Sequence, residues 1–221
     1  MTFKAIILDM DGLMVDTERL YIRCNREIAR AHGKELSDST LTRMIGRSPV
    51  ESMGIFATDL GISEDPRKLV AQREEMMLRL LKTDLEPMPG LKELLDYGHG
   101  RFRLAIATGS PRMLVDEVLR QLAIAGLFDA IQTAETLPRG KPDPEIYLRA
   151  VAQLGLKPPE CIVMEDSSNG VRSARAAGCY VIGVPNQDTR AQDFTPAHYV
   201  ATDLRAAADH VRCLTGNSCI T

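Results

Sequence analysis

In the second part of the chain, short apolar runs alternate with segments whose apolar residues recur at helical spacing. The runs Arg103–Ala107, Cys161–Met164 and Tyr180–Gly183 have the length of buried strands. Ser110-Pro111 and Asp143-Pro144 each place a capping side chain and a proline where a helix would begin. Strands that alternate with helices favour right-handed crossovers and a parallel sheet. We therefore predict an α/β fold, with a parallel Rossmann-like sheet and helices on both of its faces.

The segment between residues 17 and 86 breaks this alternation and contains helical patterns only. Its apolar residues form two stripes at helical spacing, the second behind the start signal Asp65-Pro66; the stripes are Leu20, Tyr21, Cys24, Ile28 and Ala31, and Leu69, Val70, Met76, Met77, Leu80 and Leu81. We predict that residues 17–86 form an all-helical cap domain, inserted into an α/β core of residues 1–16 and 87–215. Residues 216–221 are expected to be a disordered tail.

Composition and charge exclude several classes of partner. The 27 Lys and Arg nearly balance the 30 Asp and Glu, so no polybasic surface is predicted to bind nucleic acid or an anionic membrane. No apolar run has the length of a membrane span, and the first run ends at Asp9, too early for a signal peptide. The five scattered cysteines are expected to be buried thiols in a reducing compartment. We expect a cytoplasmic protein; the sequence does not fix its oligomeric state and is compatible with a monomer.

Asp9-Met10-Asp11-Gly12 directly follows the apolar run Ala5–Leu8, whose flanking turn residues are typical of a strand covered on both faces. In open parallel sheets, ligands bind outside the carboxyl ends of the strands. Asp9 and Asp11 are therefore predicted to lie at a functional site. Taken alone, an aspartate at a strand end can equally turn a loop or cap a helix.

Three further motifs occupy equivalent places. Thr108-Gly109-Ser110 follows a predicted strand and offers backbone amides and hydroxyls to an anion. Gly140-Lys141-Pro142-Asp143 holds a lysine in a turn bracketed by prolines, and Glu165-Asp166-Ser167 leaves the end of another predicted strand. Each motif also has an ordinary structural explanation as a loop, a solvated lysine or a helix cap.

Together these motifs would bring four carboxylates to one edge of the sheet; they are Asp9, Asp11, Glu165 and Asp166. Like charges in one cleft raise each other's pKa, so such a group is unfavourable without compensation. Mg²⁺ provides this compensation, since proteins hold it with one or two carboxylates and with phosphate oxygens of the substrate. Lys141 and the amides near Thr108 add positive potential suited to a phosphoryl group. The pattern therefore predicts a site for a metal-bound phosphate.

In this order the four motifs resemble those of the haloacid dehalogenase superfamily, and the resemblance spans the predicted core from start to finish. The position of the inserted segment is similar to that in the branch of beta-phosphoglucomutase and small sugar-phosphate phosphatases. For a member of this branch, the resemblance implies a phosphatase whose substrate is a small phosphorylated metabolite.

The resemblance also implies a role for each motif. Asp9 would attack phosphorus and form an aspartyl-phosphate, while Asp11 would protonate the departing alcohol and then activate water. The Thr108-Gly109-Ser110 turn and Lys141 would bind the oxygens of the transferring group.

Mg²⁺ is the cofactor that the resemblance implies. It would be held by the carboxylates of Asp9 and Asp166 and by the main-chain carbonyl of Asp11. Glu165 would be either a ligand or a partner of the ligands.

Neighbouring activities remain as alternatives. A dehalogenase of this superfamily lacks an acid two positions after the nucleophile, whereas this chain has Asp11, and no lysine stands in the context that a phosphonatase needs. The resembling mutases have a histidine where this chain has Tyr21, and an arginine where it has Pro49 in Gly46-Arg47-Ser48-Pro49. We therefore predict a phosphatase of sugar or nucleoside monophosphates, with a mutase as the alternative. A phosphonatase and a non-catalytic phosphate-binding regulator are further, weaker alternatives.

Overall fold

The computed structural model describes residues 2–45 and 47–216. Gly46 and residues 217–221, which include most of the predicted tail, lie outside the described residues. Within these ranges, six strands form one parallel sheet; they are β1 (Ala5–Leu8), β2 (Arg103–Thr108), β3 (Ala130–Thr133), β4 (Cys161–Glu165), β5 (Tyr180–Gly183) and β6 (Tyr199–Val200). Their order in the sheet is β3-β2-β1-β4-β5-β6. The predicted parallel α/β fold is thus confirmed.

The described residues contain nine α-helices; they are α1 (Glu18–Ala31), α2 (Asp38–Met44), α3 (Pro49–Leu60), α4 (Pro66–Asp84), α5 (Leu91–Gly98), α6 (Arg112–Gln121), α7 (Glu145–Gln153), α8 (Ser168–Ala176) and α9 (Leu204–Leu214). Both faces of the sheet are covered. Ile7 of β1 belongs to the cluster that includes residues of α7 and α8, and Ile6 and Leu104 lie on the other face against Gly98 of α5. All four residues of β1 are fully buried, as expected for a central strand.

The strand order creates a switch point in the middle of the sheet. From β1 the chain continues to β2 and β3 on one side, and β4 then pairs with β1 on the other side. Leu8 pairs with Met164, so Asp9 and Glu165, which follow these two partners, lie side by side at this edge of the sheet. A crevice at such a switch point is where open α/β sheets bind ligands.

The chain divides into two compact units. One is Thr17–Leu85, which contains α1 to α4, and the other consists of the chain before and after it. In this helical unit, Asp65 accepts a hydrogen bond from the Arg67 backbone N–H and so caps α4, as its sequence indicated. Ser48 and Glu51 form a capping box at the start of α3, with Pro49 in its first turn. The segment that contains Pro49 therefore begins helix α3.

Some local expectations were wrong. Pro111, and not Ser110, is the N-cap position of α6, and Pro144 occupies that position at α7. Cys24, Cys161 and Cys179 are free and buried as expected, but Cys213 is disulfide-bonded.

Among the described residues, no helix is both long enough and apolar enough to cross a membrane.

Candidate active site

A buried ion-pair cluster lies at the carboxyl ends of β1 and β4. The Nζ atom of Lys141 donates to Oδ1 of Asp9 at 2.5 Å and to Oε1 of Glu165 at 2.6 Å. It also donates to the main-chain oxygen of Ala107, at the end of β2, at 3.1 Å. One ammonium group therefore joins three neighbouring strand ends to the turn before α7.

The carboxylate of Glu165 is fully buried and held by further donors. The hydroxyl of Tyr147 on α7 donates to Oε1 at 2.5 Å, and the hydroxyl and backbone N–H of Ser167 donate to Oε2 at 3.1 and 3.3 Å. A Cβ atom at position 170 would lie 1.8 Å from Oε1 of Glu165, so only glycine fits at this position. These contacts direct Glu165 toward Lys141 and fix its orientation.

Asp11 lies beside the hydroxyl groups of the turn that follows β2. Its Oδ2 atom accepts hydrogen bonds from Oγ of Ser110 at 2.7 Å and from Oγ1 of Thr108 at 3.0 Å. Thr108 is fully buried, and its hydroxyl oxygen also accepts from the Ser110 backbone N–H. The Ser110 hydroxyl, which the sequence suggested as a helix cap, thus binds an acid 99 residues away.

The carboxylates of three residues approach closely enough to share one cation. Asp9, Glu165 and Asp166 each offer an oxygen, and these oxygens lie within 4.8 Å of one another. Hard carboxylate oxygens are the ligands that Mg²⁺ prefers. Gly12 has φ = +76°, and a Cβ there would lie 2.3 Å from Oδ2 of Asp166. Glycine at position 12 is therefore required both by the turn and by the closeness of this acid.

Burial and like charge dominate the electrostatics of this cluster. Burial raises the pKa of Asp9 to about 8, with the nearby Glu165 and Asp11 acting in the same direction and Lys141 opposing them. Burial, followed by Asp9 and Glu165, raises the pKa of Asp166 well above its usual range. Although burial disfavours the ammonium form, Asp9 and Glu165 hold the pKa of Lys141 well above its usual value. The cluster thus has more acid than its one ammonium can neutralise.

The structure brings most of the predicted site residues together. They form two neighbouring groups at the sheet edge. One consists of Asp11 with the hydroxyls of Thr108 and Ser110. The other is Lys141 with the three acids Asp9, Glu165 and Asp166, and Asp11 is close enough to raise the pKa of Asp9. Gly109 is exposed in the turn, and a Cβ there would meet no atom within 4 Å. No described contact therefore requires glycine at that position.

Sequence reasoning missed two side chains of this region. Tyr147 follows the predicted helix start Asp143-Pro144, and nothing in the sequence around it indicates a partner for its hydroxyl. Asn186, in the loop after β5, donates from Nδ2 to Oδ2 of Asp166 at 2.9 Å. Its position shortly after the predicted strand Tyr180–Gly183 was the one sequence signal that could have identified it.

Comparison with known proteins gives consistent matches along most of the chain. The family model of the haloacid dehalogenase-like hydrolases matches residues 6–184. The phosphorylated carbohydrates phosphatase of Thermotoga maritima is 34% identical over 176 residues, which cover 79% of this chain and 82% of that protein. The beta-phosphoglucomutase of Bacillus subtilis is 30% identical over 191 residues, covering 82% of this chain and 83% of that protein.

A solved structure agrees with the fold. CbbY from Rhodobacter sphaeroides, crystallised in complex with phosphate, has a TM-score of 0.85 to this chain at 24% identity. The match covers 92% of this chain and 96% of CbbY. At this level of identity the likeness concerns the fold alone.

Proposed function

This chain belongs to the haloacid dehalogenase-like hydrolase family, and we propose that it is a Mg²⁺-dependent phosphatase of small phosphomonoesters. The family resemblance inferred from the four motifs is confirmed, and with it the expectation that the chain is an enzyme of the hydrolase class. The proposed substrates are sugar or nucleoside monophosphates, in keeping with the relative that acts on phosphorylated carbohydrates. The observation that carries the proposal is the meeting of Asp9, Lys141 and Asp166 at one edge of the sheet.

Asp9 is the proposed nucleophile. A carboxylate oxygen of Asp9 forms a bond to phosphorus while the ester oxygen departs, and this leaves an aspartyl-phosphate. Lys141, which already contacts Asp9, would bind an oxygen of the transferring group and offset its negative charge. When bound, Mg²⁺ would add further charge neutralisation at the phosphoryl oxygens. Electrostatic stabilisation of this kind and positioning provide most of the catalysis of phosphoryl transfer.

Asp11 is the proposed general acid and base. It would give its proton to the departing alkoxide and then take a proton from the water that attacks the aspartyl-phosphate. The hydroxyls of Thr108 and Ser110 hold its carboxylate on the side of the turn after β2. They would thereby keep Asp11 directed toward the leaving group during both steps.

Metal binding is proposed for a subset of the acids. The carboxylates of Asp9 and Asp166 and the main-chain carbonyl of Asp11 would be ligands. Glu165 accepts from Lys141, Tyr147 and Ser167, which favours its role as a partner that fixes Lys141 over a role as a direct ligand.

A mutase of the beta-phosphoglucomutase type is the second candidate, because one relative carries that activity in its name. Two positions in the helical unit favour the phosphatase. Tyr21 stands where the resembling mutases have a histidine, and its ring centroid lies 5.1 Å from Cζ of Arg73. Pro49 stands where they have an arginine, and it occupies the first turn of α3. Neither side chain can supply the cationic group of the mutases.

The test is a panel of phosphomonoesters with the purified chain and Mg²⁺, in which released orthophosphate is measured. We expect release that EDTA abolishes and that Asp9→Asn lacks. Parallel reactions with glucose 1-phosphate, with and without a glucose bisphosphate, measure isomerisation. An isomerised product without orthophosphate would favour the mutase, and an Asp9→Asn variant with the rate of the wild type would refute the covalent mechanism.

A further inference from the structure

We propose that Asn186 is a positioning residue for the metal site, because its side-chain amide fixes the orientation of the Asp166 carboxylate. This residue lies outside the four motifs that identify the family. The inference rests on the proposed metal site and adds to it a determinant of metal affinity.

The hydrogen-bond partners of Asn186 determine which way its amide faces. Oδ1 accepts from the backbone N–H groups of Asp188 at 2.8 Å and Thr189 at 3.0 Å, and from the Thr189 hydroxyl at 3.2 Å. On the other side, Nδ2 donates to the main-chain oxygen of Gly12 at 3.0 Å and to Oδ2 of Asp166 at 2.9 Å. A flipped amide would set an NH₂ group against two backbone donors and an oxygen against two acceptors. The donor side of Asn186 therefore faces the acid.

The amide joins three segments around Asp166. A Cβ at Gly12 would lie 2.3 Å from Oδ2 of Asp166 and 2.7 Å from Nδ2 of Asn186, so the three residues are in close contact. Among the described residues, Asn186 is the only hydrogen-bond donor to the Asp166 carboxylate. Since this N–H bond holds Oδ2, it restrains the rotation of the carboxylate before a cation arrives.

Such restraint has a known effect on affinity. The partners that orient metal ligands typically contribute about 10- to 100-fold in metal affinity or activity. Without Asn186, the Asp166 carboxylate would lose its one oriented donor and would have to be ordered at the moment of binding. We therefore expect the dissociation constant for a divalent cation to rise by about 10- to 100-fold when the amide is removed.

Two variants separate this role from that of the surrounding turn. The bond from the Asp188 N–H to Oδ1 of Asn186 is an Asx turn, and a serine can form the equivalent turn with its hydroxyl. Asn186→Ser should thus preserve the turn but be too short to reach Asp166, whereas Asn186→Ala removes both functions. Gln187→Ala is the matched control, because it removes a neighbouring, exposed amide.

The experiment measures Mn²⁺ and Mg²⁺ binding to the full chain by titration calorimetry, and the unfolding temperature without metal. The expected result is weaker metal binding in Asn186→Ser and Asn186→Ala, with Gln187→Ala equal to the wild type. Turnover should then be restored by excess Mg²⁺ with an unchanged KM for the substrate. An Asn186→Ser variant that binds metal within about twofold of the wild type would overturn the inference, since it would assign Asn186 to the turn alone. A wild-type chain that binds no divalent cation would instead refute the proposed metal site.

Discussion

In the metal-free chain, the free energy of unfolding is expected to contain a term that decreases as the pH rises from about 5 to 8. Burial raises the pKa of Asp9 from 3.8 to about 8. Between these two values, the folded chain holds a proton that the unfolded chain has released. Raising the pH therefore favours the unfolded chain throughout this window, and the effect ends above the pKa of the folded state.

The size of this term follows from one proton. A difference of one bound proton changes the free energy of unfolding by about 1.4 kcal/mol per pH unit, so three units give at most about 4 kcal/mol. His198 and His210 act in the opposite direction, because burial lowers the pKa of both and their contribution to stability rises with pH. Asp166, whose pKa is also raised, acts in the same direction as Asp9, and the charge of Asp9 is one cause of that shift. The difference between the wild type and Asp9→Asn therefore measures the contribution of Asp9 together with its effect on Asp166, while the histidines are unchanged.

The assay is urea unfolding in EDTA at several pH values across this window, for the wild type and for Asp9→Asn. The wild type should lose stability relative to the variant as the pH rises, and Mg²⁺ should remove this loss because it binds the ionised acids. Parallel curves for the two proteins, or a wild type that gains stability relative to the variant, would refute the conclusion that a buried Asp9 takes up the proton.

Two further predictions concern the residues beside Asp9. Asp11→Asn should lower kcat by about 10²- to 10⁴-fold with little change in KM, because it removes proton transfer and leaves phosphate binding intact; steady-state kinetics measure this, and an unchanged kcat would contradict it. Lys141→Met should lower the free energy of unfolding by about 3–5 kcal/mol, since Glu165 and Asp9 lose their shared ammonium. Urea unfolding against the exposed Lys157→Met control measures the loss, and equal stabilities would contradict it.

The sequence predicted the sheet and the edge of the site because both follow from local patterns. Four of the strands are short apolar runs; they are β1, β2, β4 and β5. Where a polar motif follows such a run, it lies at the edge at which all strands of a parallel sheet end. The rule that ligands bind at the carboxyl ends of parallel strands therefore predicted that residues as distant as Asp11 and Ser110 lie close together. β3 and β6 were not predicted, since two of the four residues of β3 are polar (Gln132 and Thr133), and the two residues of β6 are exposed at an edge.

The remaining features depend on contacts between distant parts of the chain. Ser110 has the local sequence of a helix cap, but its hydroxyl binds Asp11, and no local preference contains that information. Asn186 has the sequence of a turn residue, and it does form the turn with its oxygen. Its nitrogen reaches Gly12 across 174 residues. The oxygen of Asn186 thus forms the local turn, while its nitrogen contacts the candidate site. The sequence indicates only the first of these two roles.

The register of the sheet explains why the acids at this edge lie so close to one another. Leu8 pairs with Met164, so Asp9 and Glu165 are the next residues on adjacent strands, where neighbouring backbones are separated by about 4.8 Å. Lys141 bridges these two acids, but Asp166 follows directly and has no ammonium partner among the described residues. Its negative charge must be removed by a proton or balanced by a cation. The same excess of charge therefore predicts proton uptake in the metal-free chain and a divalent cation in the active one.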